Sequence, residues 1–256
     1  EFTEPEYTRI KKDYTINLVW HQISNMDSNY ALSSDIESMT GVNTISPTWF
    51  SVASKDGTVS SLADSSYVET AHEKGLEVWG LVDNFNQEVD MKEVLTNTTA
   101  REKLTTQLIE AALEYQLDGL NIDFENLGEE LGDAYIEFLR ELSIQCRKNN
   151  LVLSSDNTVP RDFSAYYQRS EQAEVVDYFI IMGYDEHYVG SDPGSVASLS
   201  FEKEGIESTI AEGVPADKII SGVPFYTRLW KTDTSGEVSS EAIGMNTADS
   251  TLEANG

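Results

Sequence analysis

Seven short apolar runs rich in Val, Ile and Leu punctuate the chain, at residues 16–20, 44–49, 76–82, 119–124, 151–154, 178–182 and 219–223. Runs this short and this apolar are expected of strands buried on both faces. Six stretches with helical spacing lie between them. The clearest covers 100–117, where Leu104, Leu108, Ala112 and Tyr115 form one stripe and Thr99 with Glu102 reads as a capping box. A second covers 133–148, with Tyr135, Phe138, Leu139, Leu142 and Cys146 on one face. That placement makes Cys146 a small core hydrophobe. Weaker helical patterns span 27–39, 63–74, 163–173 and 201–212.

Strict alternation of strand and helix predicts a parallel sheet. Seven such strands in about 225 residues suit a (β/α)8 TIM barrel lacking its eighth strand better than a doubly wound open sheet. No G-x-G-x-x-G or Walker pattern supports a nucleotide-binding version of the latter. Residues 231–256, rich in Ser, Thr, Asn and Glu, read as an insertion or a truncated C-terminal part of a single barrel domain over 1–256. A barrel closes only when its first and last strands pair. An eighth strand carrying an aromatic residue is therefore expected beyond Gly256.

Charge narrows the partners. Asp plus Glu number 45 against 17 Lys plus Arg, a net charge of -28. So acidic a surface repels phosphate backbones and anionic lipid, which argues against nucleic acid and membrane surfaces. No apolar run reaches the ~20 residues of a spanning helix. One cysteine excludes an internal disulfide framework without fixing the compartment. The opening Glu1-Phe2-Thr3-Glu4-Pro5 is polar, so an export signal is expected upstream or not at all.

The candidate chemistry concentrates in 118–125, Asp-Gly-Leu-Asn-Ile-Asp-Phe-Glu. Side chains alternate along a strand, so Leu120, Ile122 and Phe124 share one face and Asn121, Asp123 and Glu125 the other. Acidic groups inside a barrel must be hydrogen-bonded, protonated or functional. Two stacked carboxylates cannot both ionise easily, and a carboxyl that keeps its proton near neutral pH suits general acid catalysis. A salt-bridged structural cluster is the alternative, but the strand holds no Arg or Lys. These residues also sit at the strand's C-terminal end, where barrel active sites form.

Asp118-Gly119-x-x-x-Asp123-x-Glu125 after a long helix resembles the signature of family 18 glycoside hydrolases: chitinases, endo-N-acetylglucosaminidases and bacterial cell-wall or spore-cortex lytic enzymes. Met182-Gly183-Tyr184-Asp185 on the sixth strand is similar to the family's Met-x-Tyr-Asp motif. Trp49, Asn84 and Pro224-Phe225-Tyr226 look closest to the bacterial cell-wall branch. The resemblance covers about 16–230 and implies a retaining, substrate-assisted glycosidase. Glu125 would protonate the glycosidic oxygen and later act as base. Asp123 would orient the substrate's 2-acetamido group, whose carbonyl is the nucleophile, and Tyr184 would donate to that carbonyl. Asn121 stands where the family often has a third aspartate. It cannot exchange a proton with Asp123, though it can donate a hydrogen bond to it. Asp118, of opposite parity, reads as structural with a supporting role open.

Aromatic faces stack on pyranose C–H surfaces. Trp49 and Trp230, near strand ends, are therefore candidate sugar platforms alongside Met182, Asp185 and Tyr226, while Trp79, mid-strand, reads as core. Arg228 is placed to pair with Asp185 or a substrate carboxylate. His21, His187, Asp83 and Asp185 match no strong metal spacing, and the family needs no metal, so neither metal nor cofactor is expected. His72 reads as an exposed helix residue, and Asn97-Thr98-Thr99 as a helix start rather than a glycosylation site. The expected function is hydrolysis of β-linked N-acetylglucosamine bonds in peptidoglycan or chitin-like glycans, outside the cell or at its wall. The alternatives are a sugar-binding barrel without catalysis and a structural attachment module.

Overall fold

The computed structural model of the protein describes residues 8–255, with the side chain of residue 255 left out. The polar opening pentapeptide and Gly256 lie outside the described residues. In chain order the elements are β1 (Leu18–His21), α1 (Leu32–Ser38), β2 (Thr44–Val52), β3 (Val59–Ser61), α2 (Ser65–Glu73), β4 (Glu77–Asp83), α3 (Met91–Leu95), α4 (Thr98–Glu114) and β5 (Gly119–Asp123). There follow α5 (Gly132–Lys148), β6 (Val152–Thr158), α6 (Arg169–Val175), β7 (Tyr178–Met182), α7 (Leu199–Ala211), β8 (Ile219–Gly222), β9 (Tyr226–Thr232), β10 (Val238–Gly244) and α8 (Ala248–Asn255).

The chain forms two compact units: of the described residues, 161–179 and everything before Thr158 belong to the first, and Thr158–Pro160 with the residues from Ile180 onward to the second, so that one division falls within β7. In the first unit β1, β2, β4, β5 and β6 pair in that order, all in parallel. The first half of β7 follows β6, where Asp177 N donates to Leu153 O at 2.8 Å. Short β3 runs antiparallel along the outer end of β2. In the second unit the rest of β7 neighbours β8, with Gly183 N donating to Gly222 O at 2.9 Å. Seven strands thus belong to the β/α alternation, and the described residues contain no eighth.

Burial explains why these runs are strands. Val78, Leu120, Ile122, Val152, Phe179 and Ile180 are all fully buried. Their β-branched and aromatic side chains fit a pleated surface covered by helices. Helix α5 docks through Tyr135, Phe138, Leu139, Leu142 and Cys146, the stripe expected from the sequence. Phe138 stacks on Phe124 with ring centroids 5.3 Å apart. Cys146 is 1% exposed, and burial raises its thiol far above the ordinary range. Gly119 explains the small residue after Asp118. A Cβ there would lie 2.7 Å from Val152 O and 3.1 Å from the Trp79 ring, so β5 could not approach β6 so closely.

One expectation needs correction, and two further features add to the picture the pattern gave. Helix α4 is capped by Asn97 rather than by a Thr99–Glu102 box: Asn97 Oδ1 accepts from Thr99 N at 3.0 Å and Ala100 N at 3.4 Å. Asn97→Ala removes the cap, and a fall of about 1 kcal/mol in unfolding free energy by urea titration is expected. Helix α3 breaks no rule but is only five residues long, too short to show periodicity. Lastly, much of 231–256 is ordered. Strand β9 pairs antiparallel with β10, from Tyr226↔Gly244 to Thr232↔Val238, and α8 follows. Asp233 Oδ1 holds the hairpin turn by accepting from Ser235 N at 2.8 Å and Glu237 N at 2.9 Å, and Gly236 takes φ +88°.

Candidate active site

The register of the first unit places a row of carboxyl groups across three neighbouring strands. Asp83 at the end of β4 pairs in register with Asp123 at the end of β5. On the other side, Asn121 pairs with Ser154 and Ile122 with Ser155, so the next rung sets Asp156 of β6 beside Asp123. Alternation along β6 sends Ser155 and Asn157 the other way, where both bond the Gln172 side chain of α6. Ser154 and Asp156 therefore share the face of Asn121 and Asp123.

Asn121 is the hub beneath this row. Its Nδ2 donates to Asp156 Oδ1 at 2.7 Å, and its Oδ1 accepts from Trp20 Nε1 at 3.0 Å and Ser46 Oγ at 3.1 Å. The amide is thus turned toward Asp156, and the hydrogen bond that it could have given Asp123 goes there instead. Asp123 is buried, and its Oδ1 has no hydrogen-bond partner among the described residues. Burial pushes the Asp123 carboxyl well above the usual carboxylate range, and the charges of Asp156, Glu125 and Asp83 push the same way. Burial also raises Asp156, opposed by the donors of Asn121 and Trp20. The crowding foreseen between Asp123 and Glu125 is thus shared with Asp156 and Asp83. Asp83 itself accepts from Ser51 Oγ at 2.7 Å and from Phe85 N at 3.0 Å.

Glu125 lies just past β5, half-buried, with its peptide held on both sides by one side chain. Asn84 Nδ2 donates to Glu125 O and Asn84 Oδ1 accepts from Glu125 N, both at 2.9 Å. Tyr167 braces the flanking peptides: its hydroxyl donates to Phe124 O at 3.0 Å and accepts from Leu127 N at 3.3 Å. Asn126 takes φ +52°, which turns the chain sharply after Glu125. A polar pocket of about 260 Å³ opens beside this turn, lined among others by Asn84, Gln87, Lys92, Glu125 and Glu130. A larger groove of about 450 Å³ between α4 and α5 contains none of the carboxyl row.

The clamp yields a prediction. Asn84→Ala removes both hydrogen bonds to the Glu125 peptide without touching its carboxyl. Misplacing a reacting group by about 1 Å can cost ~10²-fold in rate. We expect kcat to fall by about ten- to a hundredfold with a smaller change in KM, measured on a chitin oligomer.

The remaining candidates fall elsewhere. Asp118 is at the opposite, N-terminal end of β5. Its Oδ2 accepts from Val78 N at 2.8 Å and lies 2.9 Å from His72 Nε2, which makes it a structural tie between β4, α2 and β5 and removes it from the supporting set. Trp49 also needs correction. It is the extra residue of a bulge where the β2–β4 register slips between Thr48 and Phe50. It is 2% exposed, and its Nε1 donates to Asn29 Oδ1 at 2.8 Å, so it offers no face to a sugar. Met182 is buried within the second half of β7, which leaves it little surface for substrate.

The second unit gathers Tyr184, Asp185, Tyr226 and Arg228. Tyr226 Oη donates to Asp185 Oδ1 at 2.7 Å, and Arg228 approaches the same oxygen at 3.8 Å. The Tyr184 and Tyr226 rings meet edge to face, 6.2 Å apart. Trp230 lies on the hairpin strand β9 rather than at the end of a barrel strand, and its Nε1 donates to Gly194 O at 3.0 Å. His21 is engaged by Tyr67 at 2.7 Å and Asp35 at 3.4 Å. Among the described residues no three His, Cys, Asp or Glu side chains group to hold a metal ion. No helix among them is long and apolar enough to cross a membrane.

Sequence reasoning missed Asp156, Trp20, Ser46 and Asp83 as parts of the carboxyl network. The available signal was the parity of 154 and 156 against 121 and 123.

Known proteins share this architecture. The chain is 32% identical over 193 residues to a putative sporulation-specific glycosylase, YdhD, of Bacillus subtilis, covering 71% of this chain and 45% of that protein. It is 25% identical over 189 residues to the cortical fragment-lytic enzyme of Bacillus anthracis, covering 70% and 44%. The chain thus spans about half the length of the curated relatives it matches. Among solved structures, the C-terminal domain of a putative chitinase from Desulfitobacterium hafniense superposes with a TM-score of 0.82 at 23% identity, over 93% of this chain and 76% of that one. That likeness shows the fold to be the TIM-barrel type without its closing strand. The model of glycosyl hydrolases family 18 matches residues 21–255, and the chain belongs to that family.

Proposed function

We propose that the protein is a retaining glycosidase that cleaves β-linked N-acetylglucosamine bonds in bacterial peptidoglycan or chitin-like glycans. Glu125 donates its proton to the glycosidic oxygen as the C–O bond breaks. The substrate's 2-acetamido carbonyl attacks the anomeric carbon and forms an oxazolinium ion. Asp123 orients the acetamido N–H and opposes the positive charge, and Tyr184 donates to the acetamido oxygen. Water then opens the ring, with Glu125 as base, and configuration is retained.

One observation carries the reading: the carboxyl row Asp83–Asp123–Asp156 beside Glu125, whose peptide is clamped by Asn84. Crowding acids in this way, with the proton affinity of Asp123 and Asp156 raised by burial, is costly and characteristic of acid–base sites. The relatives named for sporulation and cortical fragments support bacterial peptidoglycan as the glycan and the cell wall as the place of action. The test is mass spectrometry of products from chitin oligomers and purified peptidoglycan. New reducing N-acetylglucosamine ends are expected. Binding of these glycans without turnover would replace this reading with a sugar-binding barrel.

A further inference from the structure

Asp156 has no part in the steps above, yet it is 2% exposed and lies on the rung beside Asp123. Its Oδ1 accepts from Asn121 Nδ2 at 2.7 Å, while Asp123 Oδ1 is buried without a partner among the described residues. A buried carboxylate oxygen with no donor, next to a second buried carboxyl, is costly unless a proton lies between them. Asn121 cannot supply that proton, because an amide exchanges none. Its amide is also committed: Trp20 and Ser46 hold its oxygen, so its N–H is directed at Asp156.

We propose that Asp156 is a positioning residue that shares one proton with Asp123, supplying from β6 the carboxyl group that Asn121 leaves out of β5. The inference rests on the glycosidase reading. In the resting pair Asp123 carries the proton and Asp156, stabilised by the Asn121 donor, is the anion. As the oxazolinium forms, the O–H bond of Asp123 breaks and an O–H bond to Asp156 forms. Asp123 is left negative against the new positive charge, and the proton returns when water opens the ring. No other reagent takes part.

Burial raises both groups, the charge of Asp156 adds to the rise of Asp123, and that of Glu125 adds to both, in keeping with a proton held between them. The titratable groups facing the pair are Asp83 from β4, Glu125 beyond β5 and Tyr135 from α5. Trp20, Ser46 and Asn121 contribute hydrogen bonds without titrating in this range.

Asp156→Asn keeps the shape and leaves an acceptor for Asn121. We expect kcat on a chitin oligomer to fall on the order of ten- to a hundredfold, with KM nearly unchanged and one ionisation lost from the pH profile. Asn121→Asp combined with Asp156→Asn exchanges the carboxyl and the amide between strands, and should recover most of the lost rate. Carboxyl ¹³C NMR of the whole chain reads the pairing without any turnover. In the wild type Asp123 should titrate in two coupled steps, and in Asp156→Asn in one step at lower pH. An unmoved Asp123 titration overturns the proposal, as does an exchange variant that melts like the wild type but recovers no activity. A wild-type chain that cleaves neither N-acetylglucosamine oligomers nor purified peptidoglycan sinks the glycosidase reading, while the NMR result still decides whether the two acids share a proton.

Discussion

Glu125→Gln is expected to leave a folded chain that no longer hydrolyses unactivated N-acetylglucosamine oligomers. The amide is nearly isosteric, and the two hydrogen bonds between the residue 125 peptide and Asn84 survive the change. What is lost is the proton for the leaving oxygen, and later the base for the attacking water. Such catalysis is worth about 10²–10⁴-fold. A substrate with a good aryl leaving group needs less protonation, so its first step should suffer less. Steady-state rates on both substrates check the point. Unaltered turnover of the unactivated oligomer would remove Glu125 from the role of acid.

Asp123→Asn should lower kcat by about 10²–10³-fold while KM changes little. An amide in this place can still touch the acetamido group but carries no charge to oppose the oxazolinium. The loss falls on an interaction that grows only in the transition state. The same variant has an effect on stability whose sign follows from burial. Asp123 binds its proton more tightly in the native chain than in the unfolded one. The native state therefore holds the extra proton above the ordinary carboxylate range, near pH 4, and up to the raised native value. Within that window stability falls as pH rises. Asp123→Asn cannot ionise and should lose less stability between pH 4 and pH 8 than the wild type, read from urea midpoints. A mutation that disables the site while flattening this slope would show that the carboxyl row is held at the expense of folding stability.

The parts of this site that were legible in the sequence are those on a strand with clean alternation. In 119–124 the apolar residues mark one face, so Asn121, Asp123 and Glu125 follow by parity. Strand β6 hides the same information. Ser154-Ser155-Asp156-Asn157 is polar throughout, because its outward face meets Gln172 rather than an apolar surface. An apolar search therefore stops at Ser154 and never reaches Asp156. Trp49 was misjudged for a different reason. A bulge shifts the parity of β2 after Thr48, and local sequence carries no sign of it. The β9–β10 hairpin was invisible because Thr, Arg, Lys and Ser alternate there with few apolar partners. The strand–helix alternation itself was readable throughout, since it depends only on where apolar runs begin and end.

The buried thiol of Cys146 has a practical consequence. As the single cysteine, on the inner face of α5, it can meet a soluble thiol reagent only when that helix lifts from the sheet. Its labelling rate in native buffer is thus a clock for the opening of α5, and the ratio to the rate in denaturant gives the free energy of that opening. A cysteine added on the surface would react far sooner, so a fluorophore could be attached at one chosen position without removing the native thiol.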